Sequence, residues 1–133
     1  MREIKFRAMM RDKNSVHDGL WVYVSCAGND MWNSMNGRYY GDIRYETVGQ
    51  YIGLKDKNGK EIYEGDVVRI RSQYETDEPV DSVAIVCFRD GAFRCSFHDM
   101  LLGEKVCSGS SGNWNMEVIG NIYENPELAE AQP

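Results

Sequence analysis

The sequence predicts a mainly β protein: a small barrel or strongly bent antiparallel sheet built from hairpins, with long loops and little helix. Three observations carry that expectation. Apolar residues recur with period two rather than 3.6. Two turn dipeptides, Asn58-Gly59 and Asp90-Gly91, sit between apolar runs. Thirteen glycines against three prolines supply many turns.

Each element follows from its residues. Ile4, Phe6 and Ala8 alternate with Lys5 and Arg7, which predicts a half-buried strand with a basic outer face. The polar stretch MRDKNSVHDG then breaks the pattern. Leu20 to Val24 (LWVYV) is apolar, β-branched and aromatic, the composition of a strand. Residues 26–42 hold three glycines and three asparagines and read as a loop. Tyr45 to Leu54 reads as extended, interrupted by Gly49 and Gly53.

The segment GLKDKNGKEIYEGDVV, Gly53 to Val68, is the strongest local signal. As an EF-hand loop it fails. With Gly59 at position 6, Asp56 and Asn58 fall at positions 3 and 5, but positions 1 and 12 are Leu54 and Gly65, so two essential ligands are missing. It is better read as a hairpin turn. A two-residue Asn58-Gly59 loop would oppose Lys57 to Lys60 and Asp56 to Glu61, both unfavourable pairs. A three-residue loop, Lys57-Asn58-Gly59, sets Asp56 against Lys60, Lys55 against Glu61 and Leu54 against Ile62, with Gly59 left-handed. We expect the second register. Tyr63-Glu64-Gly65-Asp66 is then a turn feeding a strand, Val67 to Arg71, with Val68 and Ile70 inward and Val67, Arg69 and Arg71 outward. A hairpin, a glycine turn and another strand in quick succession are how small bent barrels begin.

Residues 82–97 predict a second hairpin with a two-residue turn at Asp90-Gly91. Its register pairs Arg89 with Ala92, Phe88 with Phe93 and Val86 with Cys95. Val86, Phe88, Phe93, Cys95 and Phe97 share the core face. Cys87 and Cys95 lie on opposite faces and so do not bond. His98 to Leu102 reads as a short helix or bend. Residues 103–113 are a Gly/Ser-rich loop expected to be mobile. Trp114 to Tyr123 returns to strand, with a bulge at Gly120. Pro126 opens one or two helical turns. We expect a single domain over residues 1–133, with 129–133 a flexible tail.

Composition bounds the function. A net charge of −6 argues against tight non-specific binding to nucleic acid, which draws its affinity from neutralised phosphates. Residues 1–13 nonetheless carry five bases against Glu3 and Asp12, a local +3, whereas Glu75, Asp77, Glu78 and Asp81 form an acidic run. No apolar run is long enough to span a membrane, and the N-terminus lacks a signal-peptide core; we expect a cytoplasmic protein. Four cysteines without a C-x-x-C pair predict free thiols.

Three blocks carry a resemblance: REIKFRA at Arg2–Ala8, QYIGLKDKNGKEIYEGDVV at Gln50–Val68 and EVIGNIYENPEL at Glu117–Leu128, about 38 of the 133 residues. In this order they resemble the YopX family of phage and prophage proteins. The family pattern continues from FRA into Trp-Asp where this chain has Met9-Met10, and has Thr where Ile52 stands. The resemblance implies a phage- or prophage-encoded cytoplasmic protein whose sheet includes a small SH3-like barrel. It supplies no catalytic residue.

Nor do the residues themselves. Ser96, His98 and Asp99 are too close in sequence to make a triad, and His17-Asp18 is a lone pair in a turn. Cys95 and His98 lack two further metal ligands. Gly109 and Gly112 lack the lysine of a phosphate loop. Glu64 and Asp66 lack a second acidic pair. We therefore expect no enzyme, cofactor or metal, but a binding module for a protein partner or for itself as a homo-oligomer, using sheet edges and the basic N-terminal strand. The second reading is a nucleic-acid-binding accessory factor in phage replication, recombination or regulation. Its surface would comprise Arg2, Lys5, Arg7, Arg38, Tyr39, Tyr40 and Arg44, with Trp21, Trp32, Tyr45 and Tyr51 as further stacking groups. A third is inhibition of a host nucleic-acid-binding protein through acidic mimicry. Asn58, Gly59, Gly65, Asp90 and Gly91 are structural turn residues.

Overall fold

The structure, a computed structural model, describes residues 4–11, 18–25, 42–72, 80–109 and 114–130. Among these lie nine strands and two short helices: β1 (Lys5–Arg11), β2 (Trp21–Ser25), β3 (Asp42–Lys55), β4 (Glu61–Tyr63), β5 (Asp66–Ser72), β6 (Asp81–Arg89), β7 (Ala92–Cys95), β8 (Met100–Leu101), α1 (Glu104–Ser108), β9 (Trp114–Asn121) and α2 (Pro126–Glu130). The mainly β expectation holds. The chain forms two compact units, Met1–Tyr51 and Ile52–Pro133.

In the first unit β1 lies between β2 and β3, antiparallel to both. Ala8, Met10, Val22 and Ile43 pack as its core. The opposite face corrects the sequence reading. Arg7 was expected on an exposed basic face, yet it is only 6% exposed, and Met9 beside it is buried too. The reason is Trp21 on β2. The Arg7 guanidinium sits 4.5 Å from its ring centroid, an arrangement that buries the aliphatic stem and satisfies the cation with the ring's negative face.

β3 is interrupted by a wide bulge. Arg7 pairs with Gly49 and Met9 with Arg44, so two steps along β1 face five along β3. Thr47 holds the bulge: its hydroxyl accepts the Met9 N–H at 2.8 Å and donates to the Arg44 carbonyl at 2.6 Å. Without it the buried Met9 donor would lose its partner.

In the second unit five strands run β8-β7-β6-β5-β9, the half-barrel of the fold. The last residues of β3 turn into β4. Ile52, Ile62, Val68, Ile70, Ala84, Val86, Cys95, Cys107 and Met116 form the core, with Leu54 and Val118 packed against it. Val67, expected outward, is fully buried. It pairs with Gly120, over which Leu128 of α2 lies: a Cβ on Gly120 would meet Leu128 Cδ1 at 3.1 Å and Asn125 Oδ1 at 2.4 Å. The helix thus covers the far side of the sheet at this point, and any residue but glycine would displace the Asn125 side chain. The expected bulge is here too, since the register slips between Val67 and Val68 as β9 passes from Gly120 to Val118. Pro126 opens α2 as expected. This helix reaches Glu130, two residues into the segment read as tail; residues 131–133 lie outside the described residues.

The β6–β7 hairpin has the predicted register throughout, with Asp90 and Gly91 both at positive φ (52° and 78°). Phe88 departs from the expected core face: it is 53% exposed, because the core cluster ends before the hairpin tip, where Phe88 lies edge to face with Phe93 at 5.1 Å. Residues 97–100 are a second turn of the same kind rather than a helix. His98 and Asp99 have φ of 53° and 54°, and the Met100 N–H donates to the Phe97 carbonyl at 3.1 Å, which starts β8. In the Gly/Ser segment read wholly as loop, residues 104–108 form α1, flanked by extended Gly103 and left-handed Gly109. Cys107 is buried in the core and Val106 packs against it. Among the described residues no helix is long and apolar enough to cross a membrane.

Candidate functional site

The turn at 56–60 caps the β9 edge of the half-barrel. Gly59 is left-handed (φ 81°), its N–H donates to the Asp56 carbonyl at 3.0 Å, and the Asp56 N–H donates to the Lys60 carbonyl at 2.8 Å. This is the three-residue loop expected. Its cause is different. Asp56 was expected to face Lys60 as a surface charge pair; instead it is 3% exposed. Its Oδ1 accepts the N–H groups of Asn58 and Lys60, each at 2.9 Å, and its Oδ2 accepts that of Val118 on β9, also at 2.9 Å. The Lys57 N–H donates to the Met116 carbonyl at 3.1 Å. Outside the turn's own backbone, Asn58 Nδ2 reaches Glu117 Oε2 at 3.3 Å and Lys57 Nζ lies 3.9 Å from the same oxygen. Alternate outward groups of β9 are therefore met by one loop, which seals an edge that would otherwise invite another strand.

The next turn uses the same device. Asp66, 1% exposed, accepts the Tyr63 N–H at 2.8 Å, and Gly65 is left-handed with Tyr123 Cε2 3.1 Å from where a Cβ would stand. Asp66 is spent on the backbone of its own turn.

Among the described residues, the polar groups weighed for catalysis on sequence grounds have these partners. Ser96 Oγ accepts the Ile85 N–H at 2.9 Å. The His98 ring packs on Phe97, with centroids 4.4 Å apart. Asp99 binds Arg89 and Arg94. Cys95 is fully buried, and burial raises its thiol above the ordinary value, as it raises that of Cys107, to about 12. Among the described residues Cys87, Cys95 and Cys107 are free thiols.

Of the residues assigned to a nucleic-acid surface, Arg2, Arg38, Tyr39 and Tyr40, with Trp32, lie outside the described residues. Lys5, Arg7 and Arg44 are brought to one face of the sheet and partnered there. Lys5 Nζ lies 5.2 Å from the Tyr51 ring centroid. Arg7 stacks on Trp21 and is buried. Arg44 lies 3.2 Å from Asp18 Oδ1 and donates to Met9 Sδ at 3.2 Å. Arg11, the remaining described base of this unit, lies 3.9 Å from Glu46. Every described cation of the first unit thus has an aromatic ring or carboxylate beside it.

What this unit does present is apolar. Ile4, Leu20, Tyr23, Tyr45 and Val48 are 46%, 51%, 52%, 60% and 37% exposed. Tyr45 and Val48 stand on the β3 bulge. The second unit exposes two comparable side chains among its described residues, Phe88 and Leu101. Sequence reasoning counted Tyr45 as a stacking group but missed Leu20 and Val48. The interrupted extended run around Gly49 was the available signal.

An antiparallel sheet with an interrupted strand and a half-barrel whose edge is sealed by a buried aspartate define a mainly β protein. The family profile described as YopX protein matches residues 5–130, so the chain belongs to the YopX family. A search of curated proteins finds no match. Among solved structures the chain is similar to protein EF1440 from Enterococcus faecalis, at 22% identity and a TM-score of 0.51, over 96% of this chain and 97% of that one. That likeness speaks to the fold.

Proposed function

We propose that this protein is a non-enzymatic binding module, a phage- or prophage-encoded accessory protein that works in the host cytoplasm by engaging a protein partner through its first unit. The observation that supports this is the division of labour on that unit's surface. Its described cations are occupied by Tyr51, Trp21, Asp18 and Glu46, while Leu20, Tyr23, Tyr45 and Val48 remain exposed. Nucleic-acid binding draws on cations that neutralise phosphates and release the counterions condensed on them. Protein interfaces are instead enriched in aromatic groups, and tyrosine is a frequent hot spot.

The test sets two assays side by side. The full chain at low salt with single-stranded DNA and RNA is expected to give no shift, or one indifferent to Tyr45→Ala. Affinity capture from host lysate is expected to retain a protein that Tyr23→Ala and Tyr45→Ala release. Salt-sensitive nucleic-acid binding that the tyrosine variants abolish would favour the second reading. Turnover of a nucleotide or peptide that a point substitution abolishes would overturn both.

A further inference from the structure

The Asn58-Gly59 step carries more than a turn. Asparagine before glycine is the peptide step most open to cyclisation, because glycine offers no side chain to hinder approach of its nitrogen to the asparagine carboxamide. Here the step is unshielded: Asn58 is exposed, and a Cβ on Gly59 would meet nothing within 4 Å. Two contacts hold the reacting groups apart. The Gly59 N–H is engaged by the Asp56 carbonyl at 3.0 Å, and the Asn58 carboxamide is drawn to Glu117 Oε2 at 3.3 Å. The second contact exists only while the loop sits on β9, through the Lys57 N–H to Met116 and the Val118 N–H to Asp56.

We infer that Asn58 is a site of spontaneous deamidation, held off while the 56–60 loop is seated on β9 and released when the loop lifts. The Gly59 nitrogen gives its proton to solvent base and attacks Asn58 Cγ. A C–N bond forms, the Cγ–Nδ2 bond breaks, and Nδ2 takes up a proton and leaves as ammonia, with a five-membered succinimide remaining. Water adds to one imide carbonyl and opens the ring to an aspartyl or isoaspartyl residue at position 58. No electrons are exchanged with a third party. Neither product reseats the loop. The aspartyl form sets a carboxylate against Glu117 where a donor had been. The isoaspartyl form lengthens the main chain within a turn whose Asn58 and Lys60 N–H groups both bind Asp56 Oδ1. The modification is thus a one-way record of loop opening.

The test incubates the full chain at mildly alkaline pH and follows position 58 by peptide mass mapping and by isoaspartyl methyl transfer. The folded chain is expected to react slowly and the urea-unfolded chain fast. Asp56→Ala is expected to accelerate the reaction roughly tenfold or more, the factor that losing one charge-assisted hydrogen bond places on the open population. Should that variant fail to fold, Glu117→Ala decides the matter, because it keeps all three hydrogen bonds of Asp56 and frees the Asn58 carboxamide. It too is expected to react faster than the parent while staying folded. Equal rates in folded and unfolded chains, or a folded Glu117→Ala chain reacting no faster than the parent, would overturn the inference.

Discussion

Replacing Asp56 with alanine tests how the 56–60 loop is held on the β9 edge. The carboxylate accepts three backbone N–H groups at 2.9 Å, from Asn58, Lys60 and Val118. A hydrogen bond to a charged partner contributes about 1.5–3 kcal/mol. Asn58 and Lys60 are exposed, so their donors turn to water when the acceptor goes, and little of their share is lost. The Val118 donor is half-buried on a sealed edge and loses most of its partner's contribution. The Lys57–Met116 bond loosens with it. Together these give a destabilisation of about 2–4 kcal/mol. With a urea m-value of about 1.5 kcal/mol/M, the unfolding midpoint falls by roughly 1–3 M. Asp56→Asn, which turns an acceptor into a donor facing an N–H, is expected to lose nearly as much. Lys60→Ala is the discriminating control. If a surface Asp56–Lys60 pair fixed the turn, both substitutions would cost the few tenths of a kcal/mol typical of a cross-strand charge pair. Hydrogen exchange at the Val118 amide reads the same event locally and should accelerate in the Asp56 variants and not in Lys60→Ala. A midpoint unchanged within about 0.5 M, or comparable losses from Lys60→Ala, would refute the reasoning.

Other perturbations follow from the same packing. Gly120→Ala drives a Cβ to 2.4 Å from Asn125 Oδ1, so it should cost about 1–3 kcal/mol as α2 is displaced, seen as a lowered thermal midpoint. Thr47→Val leaves the buried Met9 N–H without its acceptor and should cost about 1–3 kcal/mol, whereas Thr47→Ser should keep most of the stability. Burial raises Cys107 from 9.0 to about 12. The folded chain then keeps a proton that the unfolded chain gives up, so this thiol's contribution is fully present below pH 9 and is lost as pH rises toward 12. Urea unfolding across that range should show a decline that Cys107→Ala flattens. Thiol reagents should label Cys95 and Cys107 only as fast as the core opens.

How much was legible depended on how far each cause lay along the chain. The Asp90-Gly91 hairpin was read correctly to the residue because its cause is local: two positive φ values demand those residue types. The 56–60 turn was read correctly in shape and wrongly in cause. Its register can be found from the flanking residues, but the acceptor role of Asp56 depends on Val118, 62 residues away, and no local pattern announces that. Arg7 failed for the same kind of reason. An alternating charge reads as outward until Trp21 on the next strand covers it, and that pairing is tertiary. Val67 was misread because α2 roofs one end of the sheet, a contact visible in the sequence only as Gly120. Helix α1 was hidden by its Gly/Ser flanks and by being just five residues long; the apolar pair Val106-Cys107 was its trace. The exposed set on the first unit was the least legible. Exposure of Tyr45 and Val48 follows from a bulge that Thr47 maintains between β1 and β3.

The measurement that bears most directly on the proposed function is quantitative capture from host lysate with matched variants of the full chain. Tyr23→Ala/Tyr45→Ala alters the first unit, and Phe88→Ala/Leu101→Ala alters the second to a similar degree of exposed apolar surface. The account predicts a protein retained by the parent chain and the Phe88/Leu101 variant and lost from the tyrosine variant, with all three folded alike. Retention by the tyrosine variant, or loss of capture on nuclease treatment, would contradict it.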